Sequence, residues 1–130
     1  MVRLLFSLAL LAAVASVGCD KATPKAQVRG TVTLDKKLLP EGQILFVTPG
    51  KPPEALPITN GHYEGTVEVG ARRVEILAYK TAAAVPMQGE TFEPTKVNYL
   101  PPRYNTDSSL KADVTASGSN EFKFELKSSQ

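Results

Sequence analysis

From residue 27 onward, apolar and polar side chains alternate with a period of two, and this alternation constrains the fold more than any other feature. Successive side chains of a strand point to opposite faces, so a period of two predicts strands that are buried on one face only. The segments that alternate in this way, or form short apolar runs, are residues 27–34, 43–48, 62–69, 72–80, 110–114 and 121–127. We therefore predict six or seven strands.

Turn residues separate the predicted strands at short intervals. They are Pro40-Glu41-Gly42, Pro49-Gly50, Asn60-Gly61, Gly70 and residues 117–120. Asn-Gly suits a tight turn that needs positive φ. With ten prolines and nine glycines, and no sustained helical period after residue 18, the chain is predicted to be all-β. The expected fold is a single antiparallel sandwich over residues 27–130.

The N-terminus has the three zones of a signal peptide. Arg3 supplies a positive charge, and Leu4 to Val17 form an apolar stretch of 14 residues interrupted only by Ser7 and Ser16. As a helix this stretch would extend about 21 Å, which is short of a hydrocarbon core of about 30 Å. We therefore expect residues 1–18 to be a helical signal peptide that is removed, and not a membrane span.

The residues before the only cysteine resemble a bacterial lipobox. Ala15-Ser16-Val17-Gly18-Cys19 places small or aliphatic residues before the thiol, although Ser16 stands where the commonest form has leucine. The resemblance implies that Cys19 is lipidated and becomes the mature N-terminus, with residues 19–26 as a tether. The expected location is the cell envelope, on the periplasmic face of the inner membrane or on the outer membrane. The alternative is an ordinary secretory signal that leaves Cys19 as a free thiol.

Charge and composition exclude several function classes. Of 15 basic and 13 acidic side chains, only Arg3 lies in the signal peptide, so the mature chain carries 14 against 13 and a formal charge of +1. No cluster of lysine and arginine predicts a nucleic-acid partner. With one cysteine and one histidine, the sequence predicts no transition-metal site and no cofactor.

Motifs spread over the mature chain resemble one family. They are residues 30–42 (GTVTLDKKLLPEG), Ile44-x-Phe46, residues 61–64 (GHYE), 73–76 (RVEI), 100–105 (LPPRYN) and 120–126 (NEFKFEL). This order resembles small planctomycete-type lipoproteins with transthyretin-like or carboxypeptidase-regulatory-like domains. The resemblance implies an immunoglobulin-like or transthyretin-like sandwich that is exposed in the envelope and not catalytic. Lys36 stands where the family usually has glycine, which leaves the geometry and length of the turn at residues 35–37 open.

Catalysis would have to be built around His62. A histidine–serine–acid arrangement with Ser108 or Ser109 would make the protein a small hydrolase. However, His62 lies beside the Asn60-Gly61 turn, where an exposed histidine without a catalytic role is the ordinary outcome. We therefore predict that the protein is not an enzyme.

The connection from residue 81 to residue 107 is the candidate binding surface. A segment of this length without periodicity is usually functional or mobile. The side chains of a partner-binding loop would be Met87, Phe92, Tyr99, Arg103 and Tyr104, since aromatic residues and arginine anchor interfaces. Packing over one end of the sandwich is the favoured alternative for residues 100–105, and the role of residues 86–95 is open.

These observations together predict a lipid-anchored, non-catalytic binding or structural module. The membrane is its predicted partner through the acyl chains on Cys19, and a protein or glycan of the envelope is its predicted ligand. An accessory subunit of a larger envelope complex is a further interpretation.

Overall fold

The computed structural model describes Gly18, residues 21–83, Gly89 and residues 94–129. Within these residues the strands are β1 (Lys25–Leu34), β2 (Lys37–Leu38), β3 (Glu41–Val47), β4 (Glu54–Thr59), β5 (His62–Glu68), β6 (Gly70–Leu77), β7 (Tyr79–Thr81), β8 (Lys96–Asn98), β9 (Lys111–Val114) and β10 (Glu121–Leu126). The described helical structure is the short 3₁₀ helix Pro102–Tyr104. The signal peptide and its helix, predicted for residues 1–18, lie outside the described residues except for Gly18.

The strands form a curled sheet in the order β10-β1-β5-β4-β3-β6-β9, with β2 paired to β1. β4 and β5 share the single pair Thr59↔His62, and the sheet folds over at this point. The turn between them has positive φ at Asn60 (49°) and Gly61 (76°), as the Asn-Gly pair predicted. The rings of Phe46 on β3 and Tyr63 on β5 lie 6.4 Å apart although their strands are not neighbours. The two halves of the sheet therefore pack face to face, and the predicted all-β sandwich is confirmed.

The inward residues of the alternating segments form the core. The described buried apolar side chains are Val28, Val32, Leu39, Ile44, Phe46, Ile58, Tyr63, Val67, Val74, Ile76, Ala78, Leu100, Ala112, Val114, Phe124 and Leu126. Both halves of the sheet contribute to this cluster. Burial of these residues is the main favourable contribution to folding, because apolar surface is removed from water on both inner faces.

The sandwich was predicted to be antiparallel, and one pair of strands departs from this prediction. β1 and β10 are parallel, in register from Arg29↔Glu121 to Leu34↔Leu126. A parallel pair cannot be joined by a hairpin. Here the pair joins strands at opposite ends of the chain, and residues 115–120 carry the chain from β9 at one end of the strand order to β10 at the other.

The prediction of six or seven strands was too low for the described residues: β2, β4 and β8 were missed, and the predicted strand of residues 72–80 is divided at Ala78 into β6 and β7. β4 contains Pro57, a residue type that argues against a strand in the sequence. In the structure Pro57 pairs with Gln43 of β3. β4 tolerates a residue without an amide hydrogen because its other side pairs with β5 only at Thr59. β1 also begins at Lys25, two residues before the predicted domain boundary.

Two predicted turns differ in outcome. Glu41 and Gly42 belong to β3 and not to a turn; a Cβ atom on Gly42 would lie 2.5 Å from the Leu77 carbonyl oxygen, so this glycine serves close strand approach. At Asp35 and Lys36 the turn has two residues, both at positive φ (50° and 67°), and Leu34 pairs directly with Lys37.

Among the described residues, no helix has the length and hydropathy of a membrane span.

Candidate functional site

The chain enters the sandwich at one end, and the β7–β8 pair lies at the other. At one end, called the base here, β1 begins at Lys25 opposite Glu68 of β5. The connection of residues 48–53 between β3 and β4, and that of residues 115–119 between β9 and β10, lie at the same end. The opposite end carries the turn at residues 35–36, the turn at residues 60–61 and the β7–β8 hairpin.

This β7–β8 pair, called the arm here, carries two of the large apolar side chains that are exposed in the described part of the chain. Four large apolar side chains are exposed among the described residues: Leu38, Tyr79, Val97 and Tyr99. Tyr79 and Val97 belong to the arm, with exposures of 46% and 43%, and Tyr99 follows it at 37%. Tyr79 is in register with Asn98 and Val97 with Lys80, so the two exposed side chains lie on opposite faces of the arm. Exposed apolar residues that lie close together are typical of a contact surface.

Hydrogen bonds to the Asn98 side chain and one backbone hydrogen bond fix the start of the arm to the core. The side-chain oxygen Oδ1 of Asn98 accepts hydrogen bonds from the amides of Ala78 (3.1 Å) and Leu100 (3.2 Å). The amide of Tyr99 donates to the carbonyl of Ala78 at 3.0 Å. Ala78 and Leu100 are themselves buried. The backbone positions of the neighbouring exposed residues Tyr79 and Tyr99 are therefore fixed by the core.

A groove of about 420 Å³ separates the arm from β3 and β4. Its lining residues are Glu41, Gly42, Gln43, Pro57, Ile58, Thr59, Tyr79, Thr81 and Lys96. Glu41 and Lys96 make no ion pair within the part of the chain that the structure describes. The groove thus offers an aromatic ring together with hydroxyl, amide and charged groups, which suits a ligand with both polar and apolar faces.

Two predicted loop residues contact the C-terminal segment instead of facing solvent freely. Arg103 donates from Nη2 to the carbonyl oxygens of Lys127 (2.6 Å) and Ser129 (2.9 Å). Its guanidinium carbon lies 4.8 Å from the ring centroid of Tyr104, and the Tyr104 hydroxyl accepts from the Lys127 amide at 2.9 Å. These contacts describe packing over the end of β10, which is the role favoured for residues 100–105.

Of the other predicted loop residues, Tyr99 lies beside the arm, whereas Met87 and Phe92 fall outside the described residues. Sequence reasoning missed Tyr79 and Val97. A signal existed for Tyr79, since it follows the inward residues Val74, Ile76 and Ala78 in the outward phase of β6 and is therefore an outward-facing aromatic residue. Val97 had no such signal, because residues 96–98 are too few to show a period.

His62 is exposed at the start of β5, paired with Thr31 and Thr59. Of the two candidate serines, Ser108 is buried; its hydroxyl donates to the carbonyl of Val74 and accepts from the amide of Leu110 (3.2 Å). Ser109 is exposed and lines a different surface depression from His62. The described structure therefore does not bring His62 together with either serine. Within the same residues, no group of three or more histidine, cysteine or acidic side chains is placed to hold a metal ion.

Lipidation of Cys19 concerns a residue outside the described part of the chain, so it stays a prediction. The same holds for the resemblance to planctomycete-type lipoproteins. Comparison of the chain with models of protein families, with curated proteins and with solved structures finds no match.

Proposed function

We propose that this protein is a lipid-anchored, non-catalytic module of the bacterial envelope, which binds a protein or glycan partner through the arm. Acyl chains on Cys19 hold the mature chain on the membrane. The sandwich acts as a rigid spacer, and the arm with its groove makes the contact.

The separation of the two ends carries this proposal. The chain enters the sandwich at the base, whereas Tyr79, Val97 and Tyr99 lie at the other end. From Gly70 at the start of β6 to Lys80 on the arm are ten residue steps, or about 33 Å at roughly 3.3 Å per residue. An anchor at the base therefore leaves the arm accessible to a partner beyond the headgroups.

The anchor is tested first, on the full-length protein expressed in a bacterial host. We expect intact-mass spectrometry to find a chain that begins at Cys19 and carries acyl groups, and fractionation to recover it with membranes. A Cys19→Ser variant should lose the acyl mass and leave the membrane fraction, whereas a Ser16→Ala control should retain both. An unmodified Cys19 in the wild-type protein would refute the anchor.

The arm is tested by crosslinking in intact envelopes. A Tyr79→Ser/Tyr99→Ser variant should lose the crosslinked species that the wild-type protein forms, because two aromatic anchors are removed. Leu38→Ser is the matched control, since Leu38 is equally exposed (49%) but is not part of the arm. Identical crosslinks in all three proteins would show that the arm is not the contact surface.

A further inference from the structure

We propose that Thr23 and Pro24 lock the tether to the base of the sandwich, so that residues 48–53 and 115–119 rest on the lipid surface. The inference builds on the proposed anchor at Cys19. It adds an orientation: the base faces the headgroups and the arm faces away.

Two contacts hold the end of the tether against the domain. The carbonyl oxygen of Pro24 accepts a hydrogen bond from the amide of Val69 at 2.9 Å, which extends the pairing of β1 with β5 by one more residue. The Lys51 ammonium donates to the hydroxyl of Thr23 at 3.2 Å. Lys51 belongs to the connection of residues 48–53, so this connection and the tether are joined directly.

The lysine in this lock is itself held in place. Lys51 Nζ lies 3.0 Å from Oε2 of Glu68, and the same oxygen lies 3.3 Å from Nη2 of the buried Arg72. Glu54 accepts from the amide of Glu68 at 2.8 Å and pairs with Lys25 at 3.0 Å. The tether is thus attached to a connected set of charged groups and not to one mobile side chain.

The lock shortens the free part of the tether. Four residue steps separate Cys19 from Thr23, which reach at most about 14 Å when extended. β1 alone has ten residues and extends about 33 Å. A lipid on Cys19 therefore keeps the base within about 14 Å of the headgroups, whereas the arm reaches the same membrane surface only if the whole domain tilts, which the lock of the tether to the base opposes.

The two connections at the base carry no charge that would repel a lipid surface. Residues 48–53 (TPGKPP) and 115–119 (TASGS) contain no acidic side chain. The carboxylates of Glu54 and Glu68 are paired with lysine or arginine, whereas the exposed Asp113 of β9 has no ion pair among the described residues. Lys25 and Lys51 are the partners of the two glutamates, and Lys21 adds one positive charge that offsets Asp113, so the described part of the base carries little net charge to repel anionic headgroups.

The test uses the full-length acylated protein in vesicles of phosphatidylethanolamine and phosphatidylglycerol that contain lipids with nitroxide-labelled headgroups. Cys19 is blocked by its thioether, so an introduced cysteine is the single free thiol. Fluorophores are attached at Ser117→Cys on the base or at Lys80→Cys on the arm. We expect loss of fluorescence at position 117 and none at position 80.

The lock is tested by Thr23→Val/Lys51→Met, which removes the contact of the tether with residues 48–53. In this variant quenching at position 117 should fall, while a Lys123→Met control on β10 should behave as the wild type. Circular dichroism confirms that each variant remains folded.

Wild-type protein that stays on the vesicles with equal quenching at both positions would overturn the orientation, as would a double variant with unchanged quenching. Failure of the wild-type protein to co-sediment with vesicles would instead refute the anchor at Cys19, and the orientation with it.

Discussion

Arg72 is a charged side chain on the buried face of β6, and we expect its removal to cost far more stability than removal of the adjacent Arg73. Arg72 is 5% exposed. It donates to the carbonyl oxygens of Glu68 (3.1 Å) and Val69 (2.8 Å), to the hydroxyl of Thr48, and to the Glu68 carboxylate at 3.3 Å. Arg73 points to the other face, is 42% exposed and pairs only with Glu75 among the described residues.

The size of the effect follows from what Arg72→Met would leave behind. Removing one partner from a buried ion pair typically costs about 3–5 kcal/mol. The lower end applies here, because the Glu68 side chain is 21% exposed and retains Lys51 as a partner. We expect a loss of about 3 kcal/mol for Arg72→Met and of less than about 0.5 kcal/mol for Arg73→Met, which breaks an exposed pair. At about 4–8 °C per kcal/mol for a domain near this size, the first loss lowers the Tm by about 12–24 °C.

Urea unfolding followed by far-ultraviolet circular dichroism measures both variants against the wild type. The chain has no tryptophan and four tyrosines, so tyrosine fluorescence gives a second probe. Arg72→Lys separates charge from geometry, since a lysine keeps the charge but cannot form the forked set of hydrogen bonds; its midpoint should fall between those of the wild type and Arg72→Met. Equal midpoints for Arg72→Met and Arg73→Met would refute the reasoning.

Three further changes test other parts of the fold. Gly30→Ala should destabilise the domain by about 2 kcal/mol or more in urea unfolding, because the added Cβ would lie 1.8 Å from the Phe122 carbonyl oxygen and force β1 and β10 apart; a wild-type midpoint would contradict this. Lys36→Gly should stabilise it by roughly 0.5–1 kcal/mol, since Lys36 has φ of 67° and glycine adopts this conformation without strain; Lys36→Ala, as the control, should give no gain. The hydrogen bond from Lys51 is the main influence that lowers the pKa of Glu68 below its ordinary value. A lowered pKa in the folded state means that the contribution of Glu68 is present above its unfolded pKa, near 4.5, and is lost as the pH falls through the folded value. Glu68→Gln should therefore lose less stability than the wild type on acidification below about pH 4.5. A Glu68→Gln variant whose urea midpoint depends on pH as in the wild type would contradict this prediction.

The sequence predicted the strands in which buried or partly buried residues alternate with exposed ones over several positions. In β10, for example, Phe122, Phe124 and Leu126 face inward between exposed residues, so the period of two is apparent from the sequence. It did not predict β4, where burial is partial and Pro57 interrupts the pattern, or the arm, whose strands have three residues each and no buried face.

The candidate site divides in the same way. Tyr99 could be singled out because it is an aromatic residue in a segment without periodicity. Arg103 and Tyr104 have the same residue types in the same segment, yet they contact the backbone of Lys127. Nothing local to the chain distinguishes the two cases, because the C-terminal segment that they contact is more than 20 residues away in sequence.

Local chemistry therefore determined the fold class of this protein, because alternation requires half-buried strands and Asn60-Gly61 favours a tight turn. The residues around Cys19 predict an anchor, which stays a prediction. Only the folded chain decided that β1 pairs in parallel with β10, that the arm lies opposite the base, and that Lys51 reaches Thr23 across 28 residues of sequence. The reason is physical. Periodicity reports which face of a strand is apolar, whereas pairing between distant segments depends on how all faces are buried together, and that is a property of the whole chain.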